Sequence, residues 1–145
     1  MPEKETLERA AEDKAEGKSP STQAGEFVRE EIEHVREGKH GARSTKQAIA
    51  IGLSKARRAG VKLRPPKKAS KKTREQAARD IRKAKSPGKK TSTKRSRATL
   101  SALKREGHSA ASKKALSRQA RTAAAKRSAA SRSRSAKKAA ATRKK

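Results

Sequence analysis

The chain has 145 residues, with 43 Lys and Arg against 14 Asp and Glu, a formal charge of +29 and one aromatic residue, Phe27. Fourteen residues are Val, Ile, Leu or Phe, about a tenth of the chain, where a highly charged sequence under roughly 20% usually stays disordered. One large apolar core is excluded, because most of the chain has too little apolar surface to offset the entropy of ordering it.

The fold class expected is therefore mostly α: a short helical hairpin nucleus with a largely disordered or loosely helical basic tail. Four segments follow from composition: an acidic N-terminal segment (1–18), the hairpin (19–64), a basic linker with a short helix (65–92) and a Lys/Arg/Ala/Ser-rich tail (93–145). Nine of the fourteen large apolar residues fall between Ser21 and Leu63. The charge is just as uneven. Residues 1–38 hold six basic and eleven acidic residues, a net −5, and residues 39–145 hold 37 and three, a net +34. Such a segment repels itself unless a polyanion neutralises it. Nucleic acid is the obvious polyanion, and an anionic membrane surface is the rival.

There is no cysteine, which removes disulfides and thiol chemistry. No apolar run reaches membrane-spanning length, so no membrane insertion is expected. The start, Met1-Pro2-Glu3-Lys4-Glu5, is acidic and has no apolar stretch. Neither a secretory signal nor a transit peptide is expected, and the expected location is the cytoplasm, on the nucleoid.

Residues 3–16 have good helix propensity but only a thin apolar stripe of Leu7, Ala10, Ala11 and Ala15, which predicts a short, marginal helix stopped at Gly17 and Ser19-Pro20. The next helix is predicted from Ser21 or Thr22 to Glu37, with Ser21 as cap. Ala24, Phe27, Val28, Ile32 and Val35 share one face, and Gly38 is the expected terminator. Glu26, Glu30, Glu33 and Glu37 line the opposite, solvated side. Glu31 falls inside the apolar stripe. It either snorkels to water or meets a Lys or Arg from elsewhere, or forms a specific buried pair that fixes a partner's register.

Gly38-Lys39-His40-Gly41 suits a reversal between antiparallel helices. Ser44-x-x-Gln47 is a capping box that opens the second helix of the hairpin. Its apolar arc is Ala48, Ile49, Gly52, Leu53, Ala56 and Ala59. The small residues on that arc suit close approach by another backbone, and Ile51 points away from it. Gly60 ends the helix, Val61 folds back over it and Pro65-Pro66 forbids continuation. A hairpin of about forty residues is near the lower limit for folding alone, so we expect either a homodimer through the hairpin or ordering on a partner.

Thr73-x-x-Gln76 reads as a second capping box, opening a helix through about Lys83 that docks weakly or not at all. Ser86-Pro87-Gly88-Lys89-Lys90 breaks the chain. Helices near 96–106 and 110–130 fit the Ala, Lys and Arg content, with like charges opposing them. Leu100 to Gly107 echoes Leu53 to Gly60, and Ser112 to Leu116 echoes Thr45 to Ile49. Biased composition produces such matches as readily as a decayed repeat does.

No phosphate-binding loop, dinucleotide fingerprint or zinc spacing is present. Glu30, His34 and Glu37 recur along one helix face, which reads as a solvated acidic surface rather than a metal site. No Ser–His–acid set is suggested and no core exists to hold one rigidly. We expect no enzyme, no cofactor, no metal and no small-molecule substrate.

What remains is phosphate neutralisation. The candidate nucleic-acid-binding residues are Lys46, Lys55, Arg57, Arg58, Lys62, Arg64, Lys67, Lys68, Lys71, Lys72, Lys89, Lys90, Lys94, Arg95, Arg97, Lys104, Arg105, Lys113, Lys114, Arg118, Arg121, Lys126 and Arg127. Cations spaced along a chain release counterions from phosphates whatever the base sequence. Base readout needs a positioned recognition element, and none is seen. Stacking platforms for single strands are excluded by a lone Phe that belongs to the core. Duplex DNA is favoured as partner, with structured RNA or the ribosome possible. A third reading makes the hairpin a protein-interaction module anchored by the tail.

The run Gly25-Glu26-Phe27-Val28-Arg29-Glu30-Glu31-Ile32-Glu33-His34-Val35-Arg36-Glu37-Gly38-Lys39-His40-Gly41, continued through Gly60, resembles a family of small basic bacterial proteins catalogued as a domain of unknown function. The resemblance is close over Ser19–Lys72 and implies a bacterial cytosolic protein, without an activity or site residues. The Lys/Ala/Ser/Pro-rich tail is similar in composition to linker-histone and bacterial histone-like tails.

Overall fold

A computed structural model describes residues 1–86 and 92–144. The predicted break at Pro87-Gly88 and the candidate cations Lys89 and Lys90 lie outside the described residues. Among the described residues the chain forms seven α-helices and one 3-10 turn. They are α1 (Lys4–Ala15), α2 (Pro20–Arg36), α3 (Thr45–Arg58), α4 (Lys71–Ala84), α5 (Thr93–Lys104), the turn Ser109–Ala111, α6 (Lys113–Ala125) and α7 (Ala129–Arg143).

Serines start the described helices after α1, whose first turn follows Glu3 without a side-chain cap. Ser19, Ser44, Ser70, Ser92, Ser112 and Ser128 each accept a hydrogen bond from the backbone amide three residues on, which satisfies a first-turn donor that has no intrahelical partner. The cap of α2 is therefore Ser19 rather than Ser21, because Pro20, with φ already fixed for a helix, occupies the first helical position. The cap of α4 is Ser70 rather than Thr73. Glycines end the first three helices. Gly17, Gly38 and Gly60 have φ of 72°, 75° and 95°. After each of them a returning amide closes on a carbonyl one turn back, as Val61 N does on Ala56 O at 3.1 Å.

The hairpin expected from the sequence is present, α2 packing along α3. Its close approach occurs at Gly52, where a Cβ would stand 2.6 Å from the Val28 Cα. The small residues of α3 thus receive α2 of the same chain, and Ala48 and Ala56 are fully buried there. Two apolar clusters sit at the two ends of α2. One joins Ala10, Ala24, Phe27 and Ala56, flanked by Leu53, Val61 and Leu63. The other joins Ile32, Val35, Ala42, Ala48, Ala110 and Ala111, flanked by Val28 and Leu116.

Three expectations are corrected. First, α1 is docked on α2, with Thr6, Ala10 and Asp13 buried and Arg9 Nε 2.8 Å from Glu26 Oε2. Second, α4 is docked on α3 through one polar anchor. Asp80 is 1% exposed and accepts from Arg58 Nε at 2.8 Å, Gln76 Nε2 at 3.2 Å and the Ser54 hydroxyl. Asp80→Ala should free α4, read as lost amide-exchange protection over 71–84 while α2 and α3 keep theirs. Equal protection in the variant would show that Ala77 alone suffices.

Third, the basic tail is not disordered. Helices α5, α6 and α7 are each capped by serine, and helix propensity is high in their Ala, Lys and Arg. The segment between α5 and α6 is pinned to the hairpin. Gly41 N donates to Leu103 O at 2.9 Å and Ala42 N to Gly107 O at 3.0 Å. Arg36 Nε donates to Ala111 O at 2.9 Å and Thr45 Oγ1 to Ala110 O at 2.6 Å. The two connectors are alike: each follows Arg-Glu-Gly, at 36–38 and 105–107, and each ends on a capping serine, Ser44 and Ser112. They pack against one another.

Candidate nucleic-acid interface

A cation can meet a phosphate only if it is not already spent inside the protein. Three of the candidates are spent. Lys55, with a side chain 21% exposed, lies 3.0 Å from Glu30 Oε1 and 2.7 Å from Glu31 Oε2. Arg57 is buried and donates from Nε to Leu63 O at 3.3 Å. Its burial pushes the guanidinium pKa down, against the pull of Asp80. Arg58 is the half-exposed partner of Asp80.

Lys55 and its carboxylates form the electrostatic centre of the hairpin. Glu30, placed by periodicity on the solvated side of α2, is 2% exposed, and Glu31 is 1% exposed. Burial pushes the Glu30 carboxyl pKa up, but the Lys55 ammonium and the Glu3 backbone amide, at 3.0 Å, outweigh burial and hold it below its ordinary 4.5. Burial likewise presses Lys55 down, and Glu31 and Glu30 outweigh it to hold the ammonium above 10.5. Glu31 thus meets a lysine from elsewhere in the same chain, and does so while buried rather than by reaching to water.

The other candidates within the described residues are exposed: Lys46, Lys62, Arg64, Lys67, Lys68, Lys71, Lys72, Lys94, Arg95, Arg97, Lys104, Arg105, Lys113, Lys114, Arg118, Arg121, Lys126 and Arg127. Most are scattered. Arg127 folds along α7 and donates to Ser131 O at 3.0 Å and to the Ser135 hydroxyl.

Three of them converge. The bond from Thr45 to Ala110 ties the turn 109–111 to the first turn of α3, so the starts of α3 and α6 open on one groove of about 600 Å³. Lys46, Lys114 and Arg118 line it together with Arg43, Ser44, Thr45, Ser112, Gln119 and Thr122. A helix start carries about half a positive charge and unpaired N–H groups, and helices of fourteen and thirteen residues contribute one each. Arg43 reaches Glu106 Oε1 only at 3.6 Å and its side chain is 81% exposed, so it too is available. An anion in this groove meets cations, hydroxyls and two helix starts at once.

Sequence reasoning found Lys46, Lys114 and Arg118 as cations but missed Arg43, Ser44, Thr45, Ser112, Gln119 and Thr122 as groove residues. The signal was available in the two serine caps, Ser44 and Ser112, each with a lysine two residues on.

No helix among the described residues is long and apolar enough to cross a membrane. Residues 13–68 match the model of a family of unknown function (DUF6496), a span that holds α2, α3, the Lys55 cluster and the α3 side of the groove, but not α6. No curated protein and no solved structure matches the chain.

Proposed function

We propose that this is a non-enzymatic, largely sequence-independent DNA-binding protein of the nucleoid, histone-like in its use of charge, in which the groove between α3 and α6 seats the phosphate backbone and the exposed cations of the carboxy-terminal half track the duplex beyond it. The observation that carries this reading is the convergence of two serine-capped helix starts on Lys46, Lys114, Arg118 and Arg43. Phosphate contacts of this kind position a protein without reading sequence, and a net charge of +29 supplies the long-range attraction.

Binding to a mixed-sequence duplex should fall steeply with salt. Contact with about eight phosphates gives a log–log slope near −7. Neutralising Lys46, Lys114 and Arg118 together to Gln should make that slope shallower by about 3, one for each phosphate that no longer meets a cation. The matched control is Lys4, Lys14 and Arg29 to Gln, with the same charge removed from exposed positions on α1 and α2, away from the groove and from the carboxy-terminal cations. Equal effects of the two triple variants would reject the groove, and a wild-type slope shallower than about −2 would reject phosphate neutralisation altogether. A folded RNA of equal length, competed against the duplex, ranks the two polymers. Preference for the RNA would move the reading to a ribosome- or RNA-associated role.

A further inference from the structure

Glu31 and His34 on α2 and His40 in the connector to α3 each offer one donor atom, and the three atoms lie within 4.8 Å of one another. Glu31 is 1% exposed and His40 8%, and the His34 side chain is 13% exposed. Three charged or ring-nitrogen groups are thus held together against the protein interior.

The hydrogen bonds around the rings restrict their tautomers. His40 Nδ1 lies 3.0 Å from the Gly41 carbonyl oxygen. A carbonyl only accepts, so Nδ1 carries the proton and a neutral His40 presents its lone pair at Nε2. That lone pair stands 3.0 Å from Glu31 Oε1, a repulsive contact unless a positive centre lies between them. His34 Nε2 is 2.9 Å from Glu3 Oε1, a carboxylate held well below its usual range by His34 and Lys39. In a neutral His34 that bond leaves the lone pair on Nδ1. A histidine whose second nitrogen is committed to a carboxylate or a backbone carbonyl is the usual arrangement around a metal-bound ring.

The carboxylate is also undersupplied. Neither oxygen of Glu31 receives a hydrogen bond of normal geometry, although Lys55 lies 2.7 Å from Oε2. At the rim Glu3 and Glu37 face Lys39, and in the interior Glu30 and Glu31 share the single cation Lys55. With both rings neutral, the buried trio keeps one negative charge in excess, which is costly.

We propose that Glu31, His34 and His40 form a binding site for a divalent transition-metal ion of the zinc class. Two imidazoles and one carboxylate are a zinc donor set, with a fourth position left for water. Metal–donor bonds of about 2.0–2.2 Å in tetrahedral geometry place neighbouring donors roughly 3.3–3.6 Å apart; His40 Nε2 and Glu31 Oε1, at 3.0 Å, need to part by a few tenths of an ångström, and small side-chain rotations bring in the third donor. Mg2+ and Ca2+ prefer all-oxygen shells and do not fit two ring nitrogens. The ion would tie α2 to the connector whose next residue, Gly41, holds the carboxy-terminal half. It would serve the fold as a staple, a device small domains use where the core is thin.

The full-length chain, stripped with a chelator, is titrated with Zn2+ alone by calorimetry and by heteronuclear NMR of its three imidazoles. The expected result is one equivalent bound, with the ring resonances of His34 and His40 shifting together and that of His108 unmoved. The melting temperature should rise until one equivalent is reached, and an equal concentration of Mg2+ should leave it unchanged. His40→Gln should weaken Zn2+ binding at least about tenfold and His108→Gln should not. The NMR readout needs no variant to fold. Failure of the wild-type chain to take up one equivalent, a shift at His108 in place of His34 and His40, the same uptake by His40→Gln as by the wild type, or the same response to Mg2+ would each overturn the site.

Discussion

Lys55→Ala should cost the hairpin about 3–5 kcal/mol, the loss typical when one partner of a buried ion pair is removed. The side chain is four-fifths buried between Glu30 and Glu31, and its removal strands two carboxylates that water reaches over only 2% and 1% of their residues' surface. At roughly 2–4 °C per kcal/mol for a chain of 145 residues, the melting temperature should fall by about 6–20 °C. Thermal or urea unfolding followed by circular dichroism at neutral pH measures it, and a loss under about 1 kcal/mol would mean that water reaches the carboxylates after all.

The same cluster sets two limits in pH. The Glu30 pKa is depressed in the folded state, so its contribution is complete above 4.5 and is lost as pH falls through the lower folded value. The Lys55 pKa is raised, so its contribution is complete below 10.5 and is lost as pH rises through the higher folded value. In Lys55→Ala the acid limb should reverse, because protonating a stranded carboxylate relieves it. That variant should gain stability between pH 7 and 4.

Gly41→Ala should detach the carboxy-terminal half from the hairpin without changing the charge of the protein. A Cβ at Gly41 would run into the backbone carbonyl of Glu106 and lie 2.7 Å from that of Gly107, atoms that no side-chain rotation can move. The collision sits between two backbone hydrogen bonds, Gly41 N to Leu103 O and Ala42 N to Gly107 O. Overpacking against backbone costs about 1–3 kcal/mol, and each hydrogen bond broken adds about 0.5–1.5 kcal/mol. Limited proteolysis near Gly107 should accelerate while α1–α4 stay protected. With the α6 side of the groove displaced, duplex affinity should drop about tenfold, or 1.4 kcal/mol, at constant net charge. Unchanged affinity in a detached variant would mean that the cations act as a loose cable and that the groove contributes nothing.

The sequence was legible wherever structure follows from neighbours along the chain. Gly38 and Gly60 as stops and Ser44 as a cap are local chemistry, and the stripe Ala24, Phe27, Ile32 and Val35 is one helix face. It was illegible where a distant partner decides. Glu30 reads as solvated by helical periodicity, yet α1 and α3 close over it from both sides. Asp80 anchors α4, although nothing near it in sequence marks a buried carboxylate. Ala110 and Ala111 complete an apolar cluster, but alanines in an alanine-rich tail carry no signal of burial. The groove failed for the same reason: Lys46 and Lys114 are 68 positions apart, and only the pairing of two connectors brings them together. Ser92, Ser112 and Ser128, which the sequence marks only as parts of a basic, serine-rich stretch, cap α5, α6 and α7.

Because the second apolar cluster draws Val35 and Ala48 from one stretch of the chain and Ala110, Ala111 and Leu116 from another more than sixty residues on, it cannot close until Leu116 has left the ribosome. A chain emerging from the ribosome can complete the Phe27 cluster once Leu63 is out, but it must carry the Val35 face open to solvent for some fifty residues more. Any length that stops short of Leu116, whether nascent or cleaved, presents a half-finished surface of the kind that chaperones hold.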